Sequence, residues 1–334
     1  MSNITLKDVW KVLHADLIGK DSHRGITLTY GWFANQVGHF ALGFVPSYFL
    51  HVGLNISYAH SAFSTAIFWT AFEIGNVLSP LYKKEYKGNK SFKVQWVNIV
   101  FDMFTDLCFF WIGCTLFYLS QVHDKTVMTL FLTGLSLLFL AIRYWFLTKL
   151  YQQNALFPYQ FRLSQWDVEI QKDYTTLITD FLKKKPEGKH FIVLGQKGKG
   201  KTRLMVGMAN EFSIRHRKCT YTTMSKWASM LEEDDQTLKD SSFSLWDWSN
   251  SQFLLIDDIN PGNPCESNKT SCIETYNYIV KQHEERNVSA LRTMNVAWVV
   301  GECCNGETAD DWKNMIQKLH VPKDSIYIID LNKP

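Results

Sequence analysis

Residues 190–202 read HFIVLGQKGKGKT, and the rest of the carboxy-terminal half is organised around them. Phe191, Ile192, Val193 and Leu194 form a short apolar run, which predicts a buried strand. Gly195, Gln196, Lys197, Gly198, Lys199, Gly200, Lys201 and Thr202 then match G-x-x-x-x-G-K-[ST]. Leu204, Met205, Met208, Ala209 and Phe212 follow at helical spacing. Strand, loop and helix come in the order that phosphate binding needs. The glycines let backbone N–H groups curl around phosphates at the positive end of the new helix. Lys201 is then placed to reach the β- and γ-phosphates, and the Thr202 hydroxyl to bind Mg2+.

A bare glycine-rich turn would lack a partner, and this one has it. Residues 253–258 read FLLIDD, an apolar strand that ends in two carboxylates. Asp257 is expected to hold Mg2+, through water or through Thr202, and Asp258 to orient an attacking water. Further strands are predicted near 219–222, 295–300 and 325–331, with helices near 269–286 and 309–319. The alternation implies an α/β domain, a mostly parallel sheet with helices on both faces. Ahead of it, Tyr174, Leu177, Ile178, Phe181 and Leu182 form the stripe of an amphipathic helix, expected to pack on the sheet. Binding of that helix to a membrane surface is the alternative.

The stretch GQKGKGKTRLMVGMANEFSIRHRKCTYTTMSKWASML, with LLIDDIN after it, resembles the helicase-loader and transposition-helper branch of the AAA+ proteins. The resemblance covers roughly residues 190–302. It implies the P-loop NTPase core of the additional-strand type, ATP and Mg2+ as ligands, and self-assembly into a ring. Membrane-tethered packaging or assembly ATPases of viruses and phages look similar. The sequence departs from the family in two respects: Val300 leads to Gly301 and Glu302, with Asn305 beyond, where a polar sensor usually stands, and no arginine follows Glu302. Arg286 and Arg292, or else Arg215 and Arg217, are the arginines available to a neighbouring subunit's site; the plainer reading is that they are solvated helix ends. The group Phe243, Leu245, Trp246 and Trp248 reads as a packed loop or a partner contact.

The amino-terminal half is different in kind. Four stretches, near 31–52, 60–81, 96–119 and 127–148, approach the roughly 20 apolar residues that a membrane-crossing helix needs. The clearest are FDMFTDLCFFWIGCTLFYLS and VMTLFLTGLSLLFLAIRYWFL. Lys83, Lys84, Lys87, Lys90 and Lys93 lie between the second and third, and Lys7, Lys11, Lys20 and Arg24 precede the first; the other links carry only Lys125. The positive-inside rule then predicts a multi-pass protein of the inner or plasma membrane with both termini cytoplasmic. Tyr30, Trp32, Tyr82, Trp96, Tyr118, Tyr144 and Trp145 suit the interfacial belts. The expected organisation is a cytoplasmic segment (1–28), an all-α four-span transmembrane bundle (29–151), a connector with the amphipathic helix (152–188) and the P-loop NTPase domain (189–334).

The spans carry groups that an anchor does not need. Asn35 and His39, Glu73 and Asn76, and Asp102 and Asp106 share helix faces. A carboxylate at mid-membrane costs about 2.5–3.5 kcal/mol on the insertion scale, so such groups usually face a bundle interior. His39, Glu73, Asp102 and Asp106 form either a site that binds a cation or relays protons, or interhelical glue within reach of cytoplasmic water. Arg143 reads as a snorkelling residue. The seven cysteines fit no disulfide framework or zinc pattern and point to a reducing compartment, with Cys303 and Cys304 the one pair open to redox or metal chemistry. A net charge of +3 is too small to imply nucleic acid by itself.

Three functions follow as expectations. One is an ATP hydrolase that couples nucleotide state to assembly, DNA handling or a membrane event, with a nucleic acid or a protein as partner. The second is a membrane effector gated by nucleotide binding, its polar bundle passing ions or protons. The third is a scaffold that rarely uses ATP, against which the set Lys201, Thr202 and Asp257 argues. No guanine-reading N-K-x-D motif is present, so ATP is expected rather than GTP.

Overall fold

The computed structural model describes residues 4–18, 27–82, 91–93, 95–166, 168, 170–183, 187–232, 245–259, 271–301 and 307–332. Cys303 and Cys304, Glu302 and Asn305, Phe243, Lys20, Arg24 and the lysines at 83, 84, 87 and 90 lie outside them. Two compact units are present: Val9–Gly88 with Val94–Leu150, and Tyr151–Pro334 with the short pieces Met1–Asp8 and Asn89–Lys93.

In the carboxy-terminal unit, β1 (His190–Leu194), β2 (Cys219–Thr223), β3 (Phe253–Ile259), β4 (Asn295–Val300) and β5 (Ile326–Asp330) form one parallel sheet in the order β2-β3-β4-β1-β5. Strand β4 thus lies between the strand that leads into the phosphate loop and the strand that ends in Asp257 and Asp258. Ile192, Val193, Leu254, Leu255 and Ile256 are fully buried, as central parallel strands covered on both faces must be. Each such side chain contributes about 1.5–3 kcal/mol of burial free energy.

On one face pack α6 (Lys172–Lys183) and α7 (Lys201–Ile214), with Phe181 against Phe191 at 4.5 Å and Phe212 against Phe253 at 4.6 Å. The amphipathic helix therefore buries its stripe on the sheet, and Ile178, Phe181 and Leu182 are not available to a membrane surface. On the other face lie α8 (Met224–Glu232), α9 (Cys272–Lys281), α10 (Glu284–Thr293) and α11 (Ala309–Lys318). The single helix expected near 269–286 is in fact two. Gln282 is extended and His283 has φ 51°, and the Asn287 amide donates to the carbonyls of Ile279 and Gln282, closing the end of α9 with a side chain from the next helix. Trp246 and Trp248 are buried, so their loop is packed.

The amino-terminal unit contains α1 (Leu6–Ile18), α2 (Leu28–Leu54), α3 (Tyr58–Tyr82), α4 (Trp96–Leu119) and most of α5 (Lys125–Asn154). Helix α1 was not foreseen. Its Asp16 accepts from the hydroxyls of Thr27 and Thr29 at 2.8 and 2.6 Å, and Thr27 caps α2. Among the described residues, three helices, α2, α4 and α5, are long and apolar enough to cross a membrane. Helix α3, the fourth expected span, has the length but not the hydropathy of the others. His60, Glu73 and Asn76 dilute it.

The helices of this unit are in part inverted relative to a water-soluble bundle: Leu107, Phe110, Ile112 and Phe117 are buried, but polar groups are buried with them and many large apolar side chains are outside. Thr29, Gln36, Ser47, Ser61, Thr65 and Glu73 are buried, whereas Val45, Phe49, Phe63, Ile67, Phe68 and Phe72 are exposed. Helices α2 and α4 cross at Gly43 and Gly113, where a Cβ on either residue would collide with the facing backbone. Close backbone packing of this kind is characteristic of helix association in membranes.

His190 opens β1 fully buried. Its Nδ1 accepts from the Trp298 indole at 3.0 Å and its Nε2 donates to the Leu291 carbonyl at 3.0 Å, which fixes a neutral tautomer. Burial pushes its pKa down to about 4, against the weaker opposing pull of the Leu291 carbonyl. The unfolded chain, with an ordinary value of about 6.5, therefore takes up this proton first as the pH falls. The stabilisation is complete above about pH 6.5 and is lost progressively towards pH 4, amounting to about 3 kcal/mol. Thermal unfolding of the full chain in detergent should show a steeper loss of Tm over that range for wild type than for His190→Gln, and parallel curves would contradict the assignment.

Candidate functional site

The glycine-rich loop, expected from its sequence to bind phosphate, runs from the end of β1 to the start of α7. Gly198 and Gly200 both have φ 84°, a region that costs an L-residue about 1–2 kcal/mol. Gly200 carries a second constraint: a Cβ there would meet the Trp166 ring at 2.8 Å. The Lys201 ammonium turns back onto the loop, donating to the carbonyls of Gly195 and Gln196. The Gln196 N–H donates to the Asn332 side chain at 2.8 Å, and the Leu331 N–H to the Leu194 carbonyl at 2.9 Å. Residues just beyond β5 thereby hold the entry to the loop.

Helix α7 is anchored from behind. Asn210 donates to the Phe161 carbonyl at 2.9 Å, and the buried Glu211 carboxylate binds Arg162 at 3.0 Å and Arg215 at 2.9 Å. Leu163 packs where Gly207 leaves room. The segment 161–166 therefore supports both the loop, through Trp166, and the helix that follows it.

The acidic strand end has an irregular backbone. Between Ile256, opposite Trp298, and Ile259, opposite Val300, the β3–β4 register shifts, and Asp258 adopts φ 53°. In a regular strand, successive side chains point to opposite faces; a bulge re-aims them. Asp257 is 2% exposed, on the sheet face that α7 covers, while Asp258 is exposed. The Asp257 oxygens accept from the Tyr221 hydroxyl at 2.8 Å and from the Asp258 N–H at 2.9 Å. Burial and the Asp257 charge raise the pKa of Asp258, and Lys201 opposes them, so the loop lysine and this carboxylate are electrostatic neighbours.

Of the arginines, Arg215 is engaged by Glu211, Arg217 lies over Phe212, and Arg286 donates to the Leu231 carbonyl and lies over Trp248. Arg292 is exposed on α10.

In the amino-terminal unit, His39 Nδ1 on α2 lies 3.1 Å from Asp106 Oδ1 on α4, a contact that is an ion pair when the imidazole is protonated. Gln36, which the sequence did not single out, lies 3.3 Å from the same ring nitrogen, and Asn35 lies 3.5 Å from the other. Glu73 on α3 is buried, and it and Asp102 are within electrostatic reach of His39. Among the described residues, no group of three or more His, Cys, Asp or Glu side chains is arranged to hold a metal ion.

Tyr221, Trp166 and Asn332 were not foreseen as site residues. Each acts across a tertiary contact, and no local pattern marks it.

No family model matches this chain, and no curated protein matches it. Among solved structures the chain is similar to one described as "Crystal Structure of the DnaI", with 14% identity over 52% of this chain and 89% of that chain, at a TM-score of 0.34. The five-stranded parallel sheet and its connections fit an ATPase fold on their own residues.

The two loop glycines give a direct check of this geometry. Gly198→Ala should cost about 1–2 kcal/mol from backbone strain alone, since nothing lies within 4 Å of its added Cβ. Gly200→Ala should cost more, because the Trp166 ring has to move as well. Equal losses of Tm in the two variants would show that Trp166 does not bear on the loop.

Proposed function

We propose that the chain is a membrane-anchored ATPase that binds and hydrolyses Mg-ATP at the cytoplasmic face. The observation that carries the reading is that the Gly195–Thr202 loop with Lys201 and the acidic end of β3 lie at the same edge of one parallel sheet, separated by β4, with Lys201 within electrostatic reach of Asp258. The loop N–H groups and Lys201 bind the phosphates, and the loop residues Gly195, Gln196, Lys197, Gly198, Lys199 and Gly200 shape the cradle. Thr202 and Asp257 fit Mg2+: Asp257 keeps a free lone pair on each oxygen after its two hydrogen bonds, and Mg2+ usually takes only one or two carboxylates beside substrate phosphates. When bound, the metal neutralises charge that develops on the phosphates. Asp258, exposed and turned out by the bulge, orients the water and accepts its proton, which requires it to be ionised. Turnover therefore falls as the pH drops through its raised pKa.

The inverted helices support membrane anchoring. Helix α3 crosses with the other three, its Glu73 turned inward and its phenylalanines outward, which makes an even number of crossings and keeps both termini in the cytoplasm. The chain works as a homo-oligomer, with Arg292 the arginine free to serve a neighbouring site. Its partner is a nucleic acid or a protein that the nucleotide cycle acts on.

A second reading is favoured by the His39–Asp106 pair inside the bundle: ATP binding, rather than turnover, opens a path for protons or ions. Hydrolysis by the detergent-purified full chain separates the two readings. Lys201→Ala should abolish binding, and Asp258→Asn should retain binding while turnover falls at least a hundred-fold. Stimulation of wild-type turnover by DNA would assign a nucleic-acid partner. Tight binding without turnover in wild type would contradict the ATPase and leave the gated bundle.

A further inference from the structure

We propose that Tyr221 is the positioning residue for the magnesium carboxylate: its hydroxyl holds Asp257 in the one orientation from which a cation beside the phosphate loop can be bound. The inference rests on the reading of Asp257 given above.

Tyr221 is the middle residue of β2, the edge strand, and pairs in register with Leu255. Asp257 is two residues further along β3, so the two side chains are diagonal neighbours on one face of the sheet, within reach of a side chain as long as tyrosine. The strand is itself anchored, since the Tyr221 N–H donates to the Ala155 carbonyl at 2.8 Å. Its phenol reaches Asp257 Oδ2 at 2.8 Å, in a bond that is itself buried.

Asp257 sits where the β3–β4 register shifts, although it still pairs with Thr223 of β2, so its carboxylate is aimed by its hydrogen bonds as well as by the ladder. The Asp258 N–H bonds Oδ1 only, and one bond leaves the group free to rotate about it. With Tyr221 on Oδ2, both oxygens are held and each keeps a lone pair for the metal or its water. Partners of this kind around metal ligands typically change metal affinity by about 10–100-fold when removed.

Tyr221→Phe removes the hydroxyl and keeps the ring packed. The test is a Mg2+ titration of the full chain in detergent at a fixed concentration of a fluorescent ATP analogue, with wild type, Tyr221→Phe and Asp257→Asn side by side and a parallel measurement in EDTA. The expected result is a Mg2+ midpoint at least ten-fold higher in Tyr221→Phe, with metal-free nucleotide binding unchanged. A wild-type midpoint in Tyr221→Phe, with Mg2+ dependence lost in Asp257→Asn, would overturn the role of Tyr221 and leave Asp257 as the magnesium carboxylate. Weakened binding in EDTA would reduce Tyr221 to a packing residue and overturn the proposal equally. Wild-type behaviour of Asp257→Asn would remove the magnesium reading of Asp257 and this inference with it.

Discussion

Asp257 places a carboxylate at the end of a strand that is otherwise apolar and buried, 2% exposed and on the side of the sheet that α7 covers. A charge so placed is tolerated only when its oxygens are hydrogen-bonded or it binds a cation. Much of the local architecture answers to that requirement. The register shift in β3 frees the Asp258 N–H to turn onto its neighbour, and the left-handed backbone of Asp258 turns the second carboxylate outwards. The edge strand supplies Tyr221. Backbone strain of about 1–3 kcal/mol at such a residue persists only where the surroundings over-determine it, and such positions cluster at functional sites.

The amino-terminal unit distributes its side chains differently. Many of its large apolar side chains, Val45, Phe49, Phe63, Phe68 and Phe72 among them, are exposed, while Thr29, Gln36, Ser47, Ser61, Thr65 and Glu73 are buried. Its helices meet through the close Gly43–Gly113 crossing and through hydrogen bonds such as Trp69 to the Leu42 carbonyl and Trp145 to Thr105. The His39–Asp106 pair belongs to the same interior.

The loop from Gly195 to Thr202 between β1 and α7, and the strand that ends in Asp257 and Asp258, were legible in the sequence because each is written in contiguous residues. The periodicity of Tyr174 to Leu182 likewise identified the helix that packs on the sheet. What stayed hidden depends on pairings between distant segments. Tyr221 and Asp257 are 36 residues apart and meet only through strand register. Trp166 reaches Gly200, and Asn332 reaches Gln196, across connections that no local pattern encodes. The break between α9 and α10 was missed because it is made by Asn287, a side chain inside what read as a continuing polar stretch. Length and a mostly apolar composition suggested a span at α3, but His60, Glu73 and Asn76 lower its hydropathy, and of these only Glu73 is buried.

Whether the loop from Gly195 to Thr202 is a nucleotide site is measured by equilibrium binding, without assuming any downstream activity. Calorimetric titration of the full chain in detergent with ATP and Mg2+ should show saturable binding of one nucleotide per chain, competed by ADP and weakened when Mg2+ is chelated. Absence of saturable ATP binding to the folded protein would contradict the account.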